Sequence, residues 1–208
     1  MHRELASSGR SNADMKHGFK TWAENEALRL RVEMCLARTA ALPARSLASH
    51  LEIPITTPAE IGVDAQTLQE LLGNSTSRWS AVTLYLRNTP FVLFNPTHSE
   101  QRQESDLMHE FAHILCKHPP QKVVVGGVFP FPIREYDTEQ EEEADWLGAT
   151  LKLPREALMR AIRQGFSDER LAEEFKCSVP LARMRKNRSG VKVQLDRQQA
   201  WRAARGWI

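Results

Sequence analysis

Apolar and polar residues recur along this chain at two spacings, one close to 3.6 residues and one close to 2, and the changes between them delimit the elements. Residues 21–41 set Leu28, Val32, Cys35, Leu36 and Thr39 along one side of a helical wheel, and Pro43 ends that run. A short helix follows over residues 45–51, then an extended piece over residues 53–56. Asp64 stands as the N-cap of a helix that reaches Leu72 and stops at Gly73, before a polar loop at residues 74–78. Alternation then takes over. Residues 81–86 and 91–95 read as two strands around the turn Arg87-Asn88-Thr89-Pro90. Residues 122–129, which contain the run VVVGGVF, read as a third strand of the same sheet.

Helical spacing returns between these strands. At about 100° per residue, Leu107, Phe111, Ile114 and Leu115 share one side of a helix, and His109, Glu110 and His113 share the other. Thr97-His98-Ser99-Glu100 has the form of a capping box and sets the start just after Pro96, while Pro119-Pro120 sets the stop. Another helix begins near Thr138. Beyond Pro154, three short helices are expected at residues 155–164, 167–175 and 178–187, with Ser167 and Ser178 capping the second and third. The predicted fold class is α+β: a mostly helical core with a small three-stranded sheet, followed by a helical C-terminal segment. Residues 1–20 are polar and are expected to form a flexible tail. Residues 21–154 form the main domain, and residues 155–208 a basic, helix-turn-helix-like segment packed on it.

The central helix carries the most specific chemistry. Residues four apart stack on one helical face, so His109 and His113 offer two imidazole nitrogens to one divalent ion, with Glu110 beside the open coordination position. Random placement of this composition gives His-Glu-x-x-His in about one chain in fifty, so the surroundings must support it. They do: a helix with one apolar and one polar face is what a position between core and cleft requires. A catalytic Zn2+ ion takes three protein ligands plus water. His118 is nearest in sequence, but on a continuing helix it lies about 140° from His113, and no glycine turns the chain back. It is read as a helix-end residue facing the dipole.

The better third ligand lies in the acidic run that follows Thr138. Glu141, Ala144, Asp145 and Gly148 share one helical face, and the two small residues allow a close approach to a neighbouring helix. Glu141 is the candidate ligand, against a competing role in a capping box with Thr138. Asp145, one turn on, is placed to accept a hydrogen bond from the far nitrogen of a ligating histidine. Glu143, about 160° from Glu141 on the wheel, is the reserve ligand. Glu110 is the candidate base. Arg134, Tyr136 and Arg102 are candidates for stabilising an oxyanion or holding substrate.

Three ordered blocks resemble the ImmA/IrrE family of metallopeptidases: RQESDLMHEFAH at residues 102–113, EEEADWLGATLKLP at residues 141–154, and LAEEFKCSVPLARMR at residues 171–185. The resemblance implies a minimal zincin core with a gluzincin-type site. In it His109, His113 and Glu141 hold one Zn2+ ion and Glu110 serves as base. It also implies endopeptidase activity on a protein substrate, typically a helix-turn-helix transcriptional repressor in a stress or mobile-element circuit. The chain departs from the family pattern at Leu147, where the usual residue is Phe, and at Lys152, where it is Leu. Both are packing positions on the second helix. The first 75 residues match only loosely.

Composition narrows the remaining choices. Of 208 residues, 41% are hydrophobic, enough to bury a core. No run approaches the ~20 apolar residues that cross a membrane. The first 20 residues lack the apolar centre of a secretory signal. Cys35, Cys116 and Cys177 are odd in number and far apart, which fits a reduced cytoplasmic compartment. The net charge of +2 conceals an asymmetry: residues 155–208 hold thirteen Lys/Arg against six Asp/Glu. Arg183, Arg185, Lys186 and Arg188 make the second helix of the helix-turn-helix pattern basic, which points to DNA as a partner. A rival reading follows, a DNA- or repressor-binding regulator whose zinc site is structural or catalytically silent. Structural zinc is usually closed by four ligands rich in Cys. Three candidate ligands without a Cys, beside a glutamate base, favour an enzyme.

Overall fold

Two helices, α4 (Glu100–Leu115) and α5 (Thr138–Lys152), form the largest helix–helix contact in the structure, a computed structural model that describes residues 15–72, 79–119 and 137–205. The side chains of Thr67, Glu70 and Leu71 are not described. α4 turns Leu107, Met108, Phe111 and Ala112 inward, and α5 answers with Ala144, Leu147 and Leu151, all fully buried. Each large side chain so buried contributes about 1.5–3 kcal/mol. The helices meet closely at Gly148. A β-carbon there would stand 3.1 Å from the Met108 carbonyl oxygen and 3.3 Å from the His109 α-carbon.

The class is the expected one, mostly helical α+β with a small sheet. The order in the sheet is β1 (Ile55–Thr56), β3 (Thr89–Phe94), β2 (Ala81–Leu86). β1 runs parallel to β3 with Ile55 opposite Val92, and β2 runs antiparallel with Ala81 opposite Phe94. Val92 and Phe94 point into the core. The hairpin turn is tighter than predicted. Only Arg87 and Asn88 lie outside the strands, both left-handed at φ 50° and 69°, the backbone of a two-residue turn whose twist suits the strands. Thr89 and Pro90 already belong to β3. β1 supplies the third strand among the described residues. The strand expected at residues 122–129 lies outside them, as do Gly73, the loop at residues 74–78, and Pro120.

α1 (Phe19–Glu33) is shorter than predicted and buries a different side. Phe19, Ala23, Ala27, Leu30 and Arg31 face inward, whereas Val32 is 67% exposed. The expectation followed bulky apolar residues, but the packing uses small alanines and one arginine. The Arg31 guanidinium is fully buried and donates to the carbonyls of Ala27, Ala40 and Leu151, tying α1 to the end of α5. Cys35 then takes a left-handed conformation at φ 55°, which ends the helical run. α2 (Ala44–His50) and α3 (Ala65–Leu72) lie close to their predicted positions. α4 starts later than the capping box implied. The Thr97 amide and hydroxyl donate to Asn95 Oδ1, so Thr97 closes a turn and Ser99 becomes the N-cap.

The C-terminal helices α6 (Arg155–Arg163), α7 (Asp168–Glu174) and α8 (Val179–Arg188) fall within a residue or two of prediction. Ser167 Oγ accepts from the Arg170 amide and Ser178 Oγ from the Leu181 amide, the N-caps the sequence marks. α9 (Val191–Ala204) was not anticipated. Together these helices enclose a second apolar cluster containing Leu158, Leu171, Phe175, Val191 and Leu195. Polar links join it to the first, two of them at buried or half-buried positions of α8. The buried Arg185 guanidinium donates to the Leu153 carbonyl and to Glu24 on α1. The Ser178 amide donates to Ser105 Oγ on α4 at 2.8 Å. No helix among the described residues is long and apolar enough to cross a membrane.

Candidate metal centre

α4 and α5 present their polar faces to one point. His109 Nε2 and His113 Nε2 lie 3.0 Å apart, as i, i+4 spacing predicts. Glu141 reaches them from α5, with Oε2 3.3 Å from His109 Nε2 and Oε1 3.6 Å from His113 Nε2. Glu141 is available because Asp137 caps α5, accepting from the Glu139 and Gln140 amides, so the capping box with Thr138 does not form. Ligands at about 2.0–2.1 Å from a tetrahedral ion stand about 3.3 Å from one another. The three separations scatter round that value, and among the described residues His109, His113 and Glu141 are the group placed to hold an ion. A two-nitrogen, one-oxygen donor set suits zinc.

The outer nitrogens of both rings are tied down. His109 Nδ1 lies 3.0 Å from Asp145 Oδ1, the contact the helical wheel indicates. With the ring proton on Nδ1, the Nε2 lone pair faces inward. His113 Nδ1 is 2.9 Å from His118 Nδ1, and His118 Nε2 is 3.0 Å from Glu143 Oε2. His113 thus donates to His118, which in turn donates to Glu143, and His113 also keeps its Nε2 lone pair for the centre. Both His118 and Glu143 are buried. Here the structure corrects two expectations. His118 does stand at the end of α4, its amide donating to the His113 carbonyl, but its ring does not serve the dipole: Lys117 adopts φ 56° and turns the chain back without a glycine, which sets the ring between His113 and Glu143. Glu143, the reserve ligand, faces His118 instead of the metal cluster. A left-handed lysine leaves no mark that a sequence pattern would reveal.

Electrostatics favour a cation at this point. Burial disfavours a charged His109, but hydrogen bonds to Asp145 and Glu141 and the charge of Glu110 override it and push the ring up to about 10. Burial, then the neighbouring His109 charge, pushes His113 down to about 4. The cluster thus holds an added proton on His109 and not on His113.

Glu110 is buried beside the cluster, and its Oε2 accepts from the Thr83 amide at 2.8 Å and the Thr83 hydroxyl at 2.7 Å. Strand β2 therefore orients this carboxylate, a contact across 27 residues that local sequence does not show. A cleft of about 440 Å³ opens over the site. Asp106, Ser105 and Ala149 line it, with Ser80 at the start of β2, and α8 closes it with Ser178, Pro180, Leu181 and Met184. Asp106 was not singled out by sequence. It lies 3.3 Å from His98, and burial pushes its carboxyl up.

Of the remaining candidates, Arg102 is the one among the described residues. Arg102 stands on the exposed side of α4, 3.7 Å from Asp106, and is not among the described residues that line the cleft. Arg134 and Tyr136 lie outside the described residues. Of the α8 cations that pointed to DNA, Arg183 and Lys186 both pair with Asp168 and Arg185 is buried, whereas Arg188 is exposed, its guanidinium 5.9 Å from the Trp146 ring centre.

Comparison with known proteins gives one match. The Peptidase_M78 model, described as an IrrE N-terminal-like domain, matches residues 62–187, more than half of the chain. That span contains α4, α5, the sheet strands β2 and β3, and α6 to nearly the end of α8. No curated protein and no solved structure matches.

Proposed function

As the chain belongs to the Peptidase_M78 family, a family of metallopeptidases, we propose that it is a zinc-dependent endopeptidase whose substrate is a regulatory protein, a helix-turn-helix transcriptional repressor. The observation that carries this reading is the convergence of His109 Nε2, His113 Nε2 and a Glu141 oxygen beside the buried carboxylate of Glu110. His109, His113 and Glu141 would hold the ion. Bound there, zinc supplies Lewis acidity, bringing the pKa of water to about 7 and polarising a peptide carbonyl.

The protein's own groups do the rest. Glu110, fixed against β2 by Thr83, takes the proton from the attacking water and delivers it to the departing amine nitrogen. Asp145, and the pair His118–Glu143, hold the two imidazoles in the orientation that directs Nε2 inward. The cleft between β2 and α8 admits an extended segment, and Pro180, Leu181 and Met184 offer an apolar wall for one of its side chains. The repressor substrate rests on the resemblance of the three sequence blocks. A cytoplasmic setting is supported by three cysteines that are all free.

Glu110→Gln separates binding from chemistry. Elemental analysis is expected to find one zinc per chain in wild type and variant alike, while repressor cleavage falls by about 10²- to 10⁴-fold. His113→Ala is expected to lose the metal as well. Wild-type cleavage rates in Glu110→Gln, or a wild-type protein that binds no stoichiometric zinc, would overturn the assignment.

A further inference from the structure

A second groove, of about 700 Å³, runs between α6 and α9 and shares no residue with the catalytic cleft. Arg155, Arg163, Arg197 and Arg202 line it, and among the described residues no carboxylate does. Among the described residues none of these four guanidiniums forms an ion pair. Arg155 donates to the Ser189 carbonyl and Gln194, and Arg163 to Gln198, neutral acceptors that fix the side chains without cancelling their charge. Asp196, the one acid in α9, lies about 160° from Gln194 on the helical wheel, away from the groove. Four unneutralised cations in one groove repel each other, and an anionic partner relieves that repulsion.

Trp201 sits in the same groove and is 53% exposed. The Arg205 guanidinium lies 4.1 Å over its ring. A cationic groove with an exposed aromatic surface matches the binding of single-stranded nucleic acid, in which arginines follow the phosphates and a base stacks on the ring. An acidic peptide would use the arginines and leave the indole without a role. A duplex keeps its bases stacked on one another and gives the indole none. We propose that the α6–α9 groove binds single-stranded nucleic acid, and that this surface, not α8, is the chain's nucleic-acid contact.

The test is fluorescence anisotropy of a labelled thymidine oligomer of about a dozen nucleotides, titrated with the full chain across a salt series. Affinity is expected to fall with salt at a log–log slope of about −2 to −3, as for three or four phosphates on a single strand. Arg197→Glu with Arg202→Glu should weaken binding by at least about ten-fold and flatten the slope. Trp201→Ala should weaken it by about ten-fold and leave the slope unchanged. Arg183→Ala, on α8, should bind as wild type. Circular dichroism and zinc content unchanged in each variant establish that the fold is intact. The proposal is overturned if the groove variants bind as wild type, if Arg183→Ala is the variant that loses binding, if a duplex binds as tightly as the single strand, or if polyglutamate of equal charge competes as well.

Discussion

The α4–α5 junction and the α6–α9 junction handle charge in opposite ways. Between α4 and α5, charged and polar groups, most of them turned inward, are matched one to another: His109 with the exposed Asp145, His113 with His118 and Glu143, Lys152 with Glu104. Between α6 and α9, apolar side chains such as Leu158, Ala161, Val191 and Leu195 fill the interior, and the arginines stand outside without carboxylate partners. Burying charge is expensive unless every group is paired and hydrogen-bonded, so the first arrangement is confined to a point and tolerates little change. The second leaves its charge in water, where it adds little to folding and remains available to a partner. A compact centre for one ion and an extended surface for a polyanion are the expected outcomes of these two dispositions.

The largest effect is expected where the inward pairing is cut. Lys152 is fully buried, its Nζ 2.8 Å from Glu104 Oε2 and 3.1 Å from the Leu42 carbonyl, and Glu104 Oε2 also accepts the Ala44 amide that opens α2. Glu104→Gln keeps an acceptor for that amide but strands a buried ammonium, a change that costs about 3–5 kcal/mol. Burial already holds the Lys152 pKa below its usual value, and Glu104 is the group that opposes the shift. Without Glu104 the folded-state pKa falls further below the unfolded value of about 10.4. Between those two values the unfolded chain binds more protons, so stability rises with pH. Urea denaturation should therefore show the deficit of Glu104→Gln shrinking from pH 7 towards pH 10. Adding Lys152→Leu, which removes the stranded charge, should recover most of the loss. A single variant within about 1 kcal/mol of wild type would show that this junction does not depend on pairing.

The relay behind His113 gives the next effect. His118→Ala removes the acceptor for His113 Nδ1, and losing such a partner typically lowers metal affinity by about 10- to 100-fold. Competition with a zinc-chelating indicator reads it directly. Glu143→Gln, which keeps an acceptor oxygen for His118 Nε2, should lower affinity by less. If His118→Ala binds zinc as wild type does, the relay is packing alone.

What the sequence disclosed is what a helical pattern or the resemblance of ordered blocks can carry, and what it concealed lies outside both. Caps at Ser167 and Ser178 were visible because a hydroxyl and the amide it accepts lie three residues apart. The gathering of His109, His113, Glu141 and Asp145, and the close approach at Gly148, could be anticipated because helical periodicity fixes which residues share a face. The link from Glu110 to Thr83 spans 27 residues, and the pair Lys152–Glu104 spans 48, so no local pattern encodes either. His118 was misjudged for a conformational reason: a non-glycine residue in the left-handed region is uncommon, and the choice of Lys117 rests on tertiary packing. The buried side of α1 was misassigned because alanines and a buried arginine do not register as an apolar stripe.

A smaller effect tests the closeness of the helices themselves. Gly148→Ala sets a β-carbon 3.1 Å from a backbone carbonyl oxygen that cannot rotate away, so α4 and α5 must separate by a few tenths of an ångström. Overpacking of this kind costs about 1–3 kcal/mol, and the better helix propensity of alanine returns up to about 1 kcal/mol. A net loss of about 1 kcal/mol is expected in denaturation, together with weaker zinc binding, because the separation moves Glu141 away from the histidines. No loss in either measurement would mean that the junction yields easily, as the C-terminal junction is expected to.

The smallest effect belongs to the surface side of the comparison. Asp168 at the start of α7 accepts from Arg183 and Lys186, and these hydrogen bonds hold its carboxyl below the usual range. A depressed carboxylate contributes stability above the unfolded value of about 3.9, and that contribution disappears as pH falls through the folded value. Asp168 is nonetheless close to water, so screening should keep Asp168→Asn within about 1 kcal/mol of wild type at pH 7. Denaturation curves of variant and wild type should converge as the pH is lowered towards 3 and also as salt is raised, because both remove the same interaction. A deficit of several kcal/mol that persists in high salt would mean that Asp168 behaves like the buried pairs of the catalytic junction. The division between inward, obligatory pairing and outward, dispensable pairing would then fail at the pairing of α7 with α8.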